Sequence, residues 1–477
     1  MAALAASRGS VLVPAPSWAG AAAQRNKLVL PPGSRPYPDR AEGIDTMPQI
    51  EHVVIYMQEN HSFDNYFGML GRGDGFTLDG RGQPTNSNLN SKGEPVTVYH
   101  STSDYCQGTD FASQSWDGTH LEINGGAMDG FVTSADDSTG SMAYWDGSDL
   151  PFYYGLASTF PLCDRWFTST PCQTLPNRRY LQAATSGGLI SSDINEVIAI
   201  PEVPNGCIWE RLNDHGITWA DYAIDLADIM LFVDFYGKNR DKIHPYEDFL
   251  LAAQTGTLPQ VSIISPGHAI YSEEDPNDIQ LGEAYSSAII NAVMNGPGWE
   301  KTALFFMYDE HGGYYDHVAP PPAVAPDSIP PNTQVPPNQP GGFDQYGVRV
   351  PAIVISPFAK ADYVSSVVHD HTSVLKFIET KFNLGAMTYR DANADDLLDC
   401  FDFDAMAFRE PPELPAPGLP ASGSTCSDVA PPKTYVDPNS ATTTTTTEQS
   451  VVTTLPETGA APAAPASAVS GLPEFTG

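Results

Sequence analysis

Residues 303–318 read ALFFMYDEHGGYYDHV, and this stretch decides the fold. Residues 303–308 are apolar and aromatic and too few for a typical helix, so they predict a buried strand of a parallel sheet. The strand stops at the acidic pair Asp309 and Glu310. In open α/β sheets ligands lie beyond the carboxyl ends of the strands, which is where this pair falls. Two carboxylates there suit a hard or borderline cation.

The same arrangement occurs near the start of the chain. Residues 52–57, HVVIYM, form a second short apolar run, and Gln58, Glu59 and Asn60 follow it. Two strands of one sheet would bring these oxygen-bearing side chains and the Asp309–Glu310 pair to the same edge. The sequence therefore predicts a metal site built from segments far apart in the chain.

Composition limits the classes of function. With 477 residues, of which 41% are hydrophobic, the chain can bury a large core. Its 58 acidic residues outnumber 23 basic ones, which gives a net charge of −35. Such a charge repels nucleic acid and anionic membranes, so we expect no nucleic-acid partner. We also expect no transmembrane segment, because no stretch is long and apolar enough.

Three regions differ in composition. Residues 1–45 are rich in Ala, Pro and Gly and predict a largely unstructured leader, whereas residues 46–410 alternate strand and helix patterns and form the folded body. Residues 411–477 are rich in Pro, Thr and Ala and predict a disordered linker or stalk. Within the body, residues 320–342 are proline-rich and predict a long surface loop that shapes one side of the site.

Two helix starts fall beside candidate functional residues. Residues 371–382 place apolar side chains on one face, which predicts an amphipathic helix with Asp370 as its cap and His371 near its start. A strand-like run, residues 348–356, precedes it. Thr174 begins a second helix-compatible segment, and the free N–H groups at a helix start favour a phosphate-like anion.

The chain has six cysteines and no Cys-x-x-Cys pair. An even number without metal-binding spacing favours disulfides, and hence an oxidising compartment, over a zinc ribbon. The alternative is that several are buried free thiols.

Several motifs together resemble one family. They are QENHSFDNYFG (58–68), LPFYYGLASTFPLCDRWF (150–167), TLPNRRYL (174–181), YDEHGGYYDHV (308–318), and RVPAIVISPFAK with HDHTSVLKFIE (349–379). In this order they resemble the phosphoesterase family of bacterial non-haemolytic phospholipases C and related acid phosphatases. The resemblance implies an alkaline-phosphatase-like fold, a three-layer α/β/α sandwich, with residues 46–410 as the phosphoesterase catalytic domain.

The resemblance also implies roles for matching residues. One divalent metal cation, Ca²⁺ or Zn²⁺, is expected on Glu59, Asn60, Thr174, Asp309 and Glu310. The catalytic residues are expected to be Thr174, His120, His317 and His371, and the substrate-binding residues Asn60 and Arg178.

The implied chemistry suits these residue types. Coordination to a divalent cation lowers the pKa of a threonine hydroxyl, and the same cation neutralises a phosphoryl oxygen. Thr174 would attack phosphorus to give a phosphothreonine while a histidine protonates the leaving alkoxide. The expected substrate is a phospholipid or a small phosphate ester. An acid phosphatase acting on phosphomonoesters, or a non-catalytic surface binding protein on the same fold, are the alternatives.

One segment departs from the family pattern. Relatives carry a histidine in a Glu-His-Pro-Pro type segment, whereas residues 271–278 read YSEEDPND. Nearby His268 is the candidate substitute, and the carboxylates of Glu274 and Asp275 favour a cationic head group. His311 and His369 are expected to be exposed loop residues.

The tail carries one further signal. The segment from Leu455 to Gly459, LPETG, has the form of a sortase recognition pentapeptide, although the usual apolar segment and basic end are missing. Cell-wall attachment through this segment and a chance match in a Thr/Pro-rich tail both stay open. We expect a secreted or cell-surface protein.

Overall fold

The computed structural model describes residues 29–101, 107, 113–200, 202–268, 271–334 and 338–418. The strands are β1 His52–Gln58, β2 Ser87–Leu89, β3 Pro95–Thr97, β4 Tyr99–His100, β5 Ala143–Tyr144, β6 Leu162–Cys163, β7 Trp219–Ala223, β8 Ile243–Pro245, β9 Val261–Ile264, β10 Thr302–Tyr308, β11 Ala352–Ile355 and β12 Val364–Ser365. The helices are α1 Phe63–Phe67, α2 Trp116–Ile123, α3 Pro151–Thr159, α4 Thr174–Ala183, α5 Ile194–Ala199, α6 Ile208–Asp214, α7 Val233–Lys238, α8 Tyr246–Thr255, α9 Ile279–Met294, α10 His371–Phe382 and α11 Tyr389–Ala392.

The central sheet has eight strands in the described part of the chain, in the order β12-β6-β11-β10-β1-β9-β7-β8. The two predicted strands, β1 and β10, are neighbours and run parallel, from His52 opposite Thr302 to Gln58 opposite Tyr308. The prediction of a parallel sheet is wrong for β11, which runs antiparallel to β10. That strand covers only Ala352–Ile355 of the predicted run.

Alternate side chains of β10 show that helices cover both faces of the sheet. The Phe305 ring lies 4.8 Å from that of Phe377 in α10. Its neighbour Phe306 points the other way and stacks on Tyr153 of α3, with ring centroids 5.3 Å apart. Every residue of β10 is buried, as a strand between two helical layers requires. The predicted three-layer α/β/α sandwich is therefore confirmed.

The predicted amphipathic helix is α10, and its bounds agree with the sequence pattern. Asp370 caps its start together with Ser373, and Asn383 ends it in the left-handed conformation at φ 50°. Its apolar side chains are buried against the sheet. The helix therefore holds residues 370 and 371 firmly beside the strand ends.

The described ends of the chain pack on the sandwich. In the predicted leader, the Gly33 N–H donates to the Ala386 carbonyl at 2.8 Å, and the Tyr37 N–H donates to Asn383 Oδ1 at 2.9 Å. Beyond residue 410, the Gly418 N–H donates to Glu283 Oε2 at 2.6 Å. The LPETG segment lies outside the described residues. Within the described ranges, none of the helices has the length and apolar character needed to cross a bilayer.

Four cysteines lie in the described part of the chain, and all are buried free thiols: Cys163, Cys172, Cys207 and Cys400. Disulfides are therefore not confirmed for them, although the Cys163 and Cys400 sulfurs are 4.0 Å apart. Cys106 and Cys426 fall outside the described residues.

Candidate active site

The predicted ligands follow β1 and β10 where these strands end side by side. The Asp309 N–H donates to the Gln58 carbonyl at 3.1 Å, which continues the ladder past the last pair of the register. Glu59 and Asn60 on one strand thus come to the same edge as Asp309 and Glu310 on the other. The carboxylates and the amide are all buried.

Arg178 of α4 forms ion pairs with carboxylates at this edge. Its Nε donates to Asp309 Oδ2 at 3.0 Å, its Nη1 to Asp228 Oδ1 at 3.1 Å, and its Nη2 lies 3.1 Å from Glu59 Oε1. The guanidinium is 1% exposed. These ion pairs with three carboxylates hold Glu59 and Asp309 in place. The predicted substrate-binding role of Arg178 stays a prediction.

The electrostatics show a buried excess of negative charge. Burial raises the pKa of Asp309, with the Glu59 and Glu310 charges adding to it and Arg178 opposing. Burial would also raise the pKa of Glu59, but His268 and Arg178 beside it lower this pKa to about 2. Glu59 is therefore ionised, and a further cation at this edge would relieve the repulsion among the carboxylates.

Three buried oxygens at this edge accept no hydrogen bond from the described residues: Glu59 Oε2, Asn60 Oδ1 and Glu310 Oε1. Buried polar atoms are nearly always hydrogen-bonded, so each of these oxygens is available to a water molecule or an ion. Carboxylate and amide oxygens are the donor set of a hard divalent cation. The residues present therefore fit the metal that the sequence predicts.

The oxygens of the predicted ligands are not as close together as those of other acidic groups in the structure. Among the described residues, three other groups have one ligand atom each within 4.8 Å of one another: Asp64, Asp316 and His317; His100, Asp146 and Asp149; and His369, Asp395 and Asp399. Glu59, Asp309 and Glu310 do not form such a group, so at least one pair of their oxygens is farther apart.

Thr174 is the first residue of α4, as the sequence predicts. Arg178 lies one helical turn further along the same face, so the face of α4 that carries Thr174 is the one turned to the carboxylates. The Glu310 charge also contributes to the pKa of Cys172, which burial raises. Residues 172–178 therefore run beside the ligand cluster.

His268, the candidate substitute for the family histidine, lies beside the predicted ligand Glu59. Its Nδ1 is 2.7 Å from Glu59 Oε1, and its side chain is 10% exposed. Although burial lowers it, the ion pair with Glu59 raises the pKa of His268 above its ordinary value. The sequence identified this residue only as a possible substitute.

Glu274 is linked to the predicted ligand Asn60 by a hydrogen-bonded side chain. Gln114 connects it to the site, because Gln114 Nε2 donates to Glu274 Oε1 at 3.2 Å while Asn60 Nδ2 donates to Gln114 Oε1 at 3.0 Å. Burial, with the Glu59 and Glu310 charges, raises the pKa of Glu274 to about 8. Asp275 accepts a hydrogen bond from the Tyr314 hydroxyl at 2.8 Å.

His311 was expected to be exposed, but it is 1% exposed and lies between two carboxylates. Its Nε2 is 2.7 Å from Glu122 Oε2, and its Nδ1 is 3.2 Å from Glu310 Oε2. These partners raise the pKa of His311 to about 9 against the effect of burial. His311 therefore orients Glu310 from behind.

The three predicted catalytic histidines lie in different surroundings. His371 Nε2 donates to the Asp309 carbonyl at 2.8 Å and its other nitrogen accepts from Trp166, so the ring holds the Asp309 backbone in place, and its catalytic role stays a prediction. His317 Nδ1 is 2.6 Å from Asp64 Oδ2, and its Nε2 is 3.4 Å from Asp74 Oδ1. His120 bonds the Trp116 carbonyl through Nδ1 at 2.7 Å.

A cleft of about 220 Å³ opens beside the start of α4. Its lining includes Trp116, Asp117, Gln173, Glu196, Asn332 and Asn338. Asn332 and Asn338 belong to the proline-rich loop, and Asp117 accepts a hydrogen bond from the Gln339 N–H at 2.5 Å. The loop therefore forms one side of this cleft, whereas its predicted place beside the metal ligands stays a prediction. The lining carries carboxylates and no basic side chain, which favours a cationic group.

Comparison with known proteins identifies the family. The profile described as the Phosphoesterase family matches residues 50–385. The non-hemolytic phospholipase C of Pseudomonas aeruginosa is 34% identical over 419 residues, covering 77% of this chain and 59% of that protein. Phospholipase C A of Mycobacterium tuberculosis is 30% identical over 428 residues, covering 78% and 81%. The chain belongs to the phosphoesterase family, whose members named here are hydrolases acting on ester bonds.

Two further matches are a plant phospholipase C and a solved bacterial structure. The non-specific phospholipase C3 of Arabidopsis thaliana is 29% identical over 408 residues, covering 77% of this chain and 75% of that protein. A solved protein of the alkaline phosphatase superfamily from Vibrio parahaemolyticus overlays with a TM-score of 0.36 and 10% identity, covering 66% and 70% of the two chains. The chain spans about three fifths of the length of the Pseudomonas relative.

Proposed function

We propose that this chain is a secreted, metal-dependent phosphoesterase of the phospholipase C type, which hydrolyses phosphate esters through a phosphothreonine at Thr174. The observation that carries the proposal is the set of unsatisfied buried oxygens on Glu59, Asn60 and Glu310. These oxygens lie at the end of two parallel strands beside the start of α4. Membership of the phosphoesterase family supports the same reaction class.

The residues that would hold the metal are Glu59, Asn60, Thr174, Asp309 and Glu310. When bound, a divalent cation supplies positive charge for a phosphoryl oxygen and lowers the pKa of a coordinated hydroxyl. The Thr174 hydroxyl oxygen forms a bond to phosphorus as the bond from phosphorus to the leaving oxygen breaks. Water then cleaves the phosphothreonine and restores the hydroxyl.

His268 is the proton donor that we propose for the leaving oxygen. Its ion pair with Glu59 favours the imidazolium form, and the ring is beside the ligand cluster. His371 is less suited, because burial lowers its pKa to about 4 and its Nε2 is held by the Asp309 carbonyl. A general acid must be protonated and within reach of the leaving group, and His268 meets the first requirement.

The substrate that fits the site best is a phosphodiester with a zwitterionic head group. Asp117 and Glu196 line the cleft next to Gln173, which precedes Thr174. The net charge of −35 opposes binding to anionic bilayers and suits action outside the cell. A phosphomonoesterase on the same residues is the second candidate, because the family resemblance includes acid phosphatases.

One assay tests the proposal. Purified protein is incubated with phosphatidylcholine and with p-nitrophenyl phosphate, each with and without a chelator. We expect chelator-sensitive turnover that is higher on the diester, and higher turnover on the monoester would favour the second candidate. Absence of turnover on both, with metal present, would contradict the proposal and favour a binding protein.

Substitution of the nucleophile sharpens the assay. Thr174→Ala should remove nearly all turnover while the free energy of unfolding changes little, because a single hydroxyl at a helix start contributes little to stability. Thr174→Ser should retain part of the activity. Thr159→Ala in α3 is the matched control, since that hydroxyl only bonds the Gly155 carbonyl. Normal turnover by Thr174→Ala would exclude Thr174 as the nucleophile.

A further inference from the structure

His369 was expected to be exposed, but it is a buried histidine with an unsatisfied nitrogen. The residue is 1% exposed, and its Nδ1 accepts or donates no hydrogen bond among the described residues. This nitrogen is 3.5 Å from Asp395 Oδ1. Its other nitrogen, Nε2, lies 3.1 Å from Ser365 Oγ and 3.8 Å from Asp399 Oδ1. A buried imidazole nitrogen that faces a carboxylate without a hydrogen bond indicates room for another partner.

Asp395 and Asp399 complete a cluster around this histidine. The three side chains bring one ligand atom each within 4.8 Å of one another. Asp395 is 36% exposed and Asp399 is 22% exposed, so solvent and dissolved ions reach the cluster from outside. Tyr363 donates to Asp399 Oδ2 at 3.0 Å, which fixes that carboxylate from the side.

The other two clusters of this kind lack the same feature. In the group of Asp64, Asp316 and His317, the Arg349 guanidinium already pairs with Asp64 at 3.2 Å and Asp316 at 2.9 Å. In the second group, the histidine is hydrogen-bonded to Asp149 at 2.6 Å. Only the His369 group combines a buried, unsatisfied ligand atom with carboxylates open to solvent, among the residues that the structure describes.

We propose that His369, Asp395 and Asp399 bind a divalent transition-metal ion, with Zn²⁺ as the best-fitting ion. One imidazole nitrogen and two carboxylate oxygens form a mixed donor set that zinc accepts, with water in the remaining position. The ion ties the segment 395–399 to the residues before α10. Through His371, which bonds the Asp309 carbonyl, α10 in turn supports the active-site edge.

Metal content tests the site with two paired variants. Chelator-treated wild-type protein is dialysed against zinc chloride, and bound zinc is measured by mass spectrometry. Asp395→Asn with Asp399→Asn should lower the content by about one equivalent relative to wild type. Asp402→Asn with Asp404→Asn is the matched control, since it removes two exposed charges from the same segment and should leave the content unchanged.

The two proposals fail separately in this experiment. Glu310→Gln should lose the active-site ion and keep the ion on His369, whereas the Asp395 and Asp399 double variant should do the reverse. Circular dichroism confirms folding, and His369→Gln replaces the double variant if that one does not fold. Equal zinc content in wild type and in a folded His369 or Asp395 and Asp399 variant would overturn this inference, whatever the result for Glu310→Gln.

Discussion

Replacing Arg178 with methionine tests whether the carboxylates at the ends of β1 and β10 carry uncompensated negative charge. The guanidinium is the shared partner of Glu59, Asp228 and Asp309 at 3.0–3.1 Å, and it is 1% exposed. Methionine keeps most of the apolar volume but removes the positive charge. The three carboxylates then have to be neutralised in another way.

The expected cost follows from this burial. Removing one partner of a buried ion pair costs about 3–5 kcal/mol, because the remaining charge stays buried. We expect the free energy of unfolding to fall by an amount at the upper end of this range, about 4–5 kcal/mol in the presence of chelator, since three carboxylates share the Arg178 guanidinium. Protonation of Asp309, whose pKa burial already raises, limits the loss. Urea unfolding at neutral pH measures it.

Addition of a divalent cation should recover part of this stability. A ligand at 100 times its dissociation constant contributes about 2.7 kcal/mol, and the released carboxylates would be its ligands. Arg179→Met is the matched control, because that neighbouring buried arginine donates to backbone carbonyls, including those of Val197 and Leu231. A loss below about 1 kcal/mol for Arg178→Met, or equal recovery in both variants, would refute the reasoning.

Three further predictions concern single side chains. His268→Gln should lower turnover about 100-fold or more, as expected for loss of a general acid. The control His244→Gln, at an exposed histidine, should leave turnover unchanged. Equal rates for the two variants would contradict the proton-donor role. Burial raises the pKa of Glu283 to about 8, so the folded state binds a proton that the unfolded state releases, and stability should fall as pH rises from about 4.5 to 8. The fall in urea midpoint over this range should be smaller for Glu283→Gln than for the wild type, and an equal fall in both would contradict the prediction; part of the fall remains because the Glu274 carboxyl titrates in the same range. The thiols of Cys163 and Cys400 should react with a thiol reagent only on unfolding, and rapid reaction of the native protein would contradict their burial.

The elements that place the site could be predicted because their signals are local. β1 and β10 are continuous apolar runs that end on polar residues, and both were predicted within a residue at each end. α10 agrees because its cap, its apolar face and its left-handed Asn383 are all encoded nearby. Parallel pairing then brings the strand ends together without further information.

The direction of β11 could not be predicted in this way. An apolar run shows that a strand is buried, but it carries no information on whether its neighbour runs parallel or antiparallel. Here the long connection after β10 returns the chain so that Ala352 lies opposite Met307. Topology of this kind depends on contacts between distant segments.

The support around the ligands was missed for the same reason. His311 follows Glu310 and precedes two glycines, which suggests an exposed turn, but Glu122 of α2 reaches it from 189 residues away and buries it. Arg178 pairs with acids from three separate segments. The one available signal was that His311 directly follows the predicted ligand Glu310. Residues that hydrogen-bond to metal ligands commonly hold those ligands in place.

Anomalous diffraction from crystals soaked in a divalent transition metal is the most direct test of the central claim. We expect a peak at the end of β1 and β10, at about 2.0–2.6 Å from oxygens of Glu59, Asn60, Asp309 and Glu310, with the Thr174 hydroxyl completing the set. Crystals in which this edge stays free of metal at saturating concentration, with Arg178 still bridging Glu59 and Asp309, would contradict it.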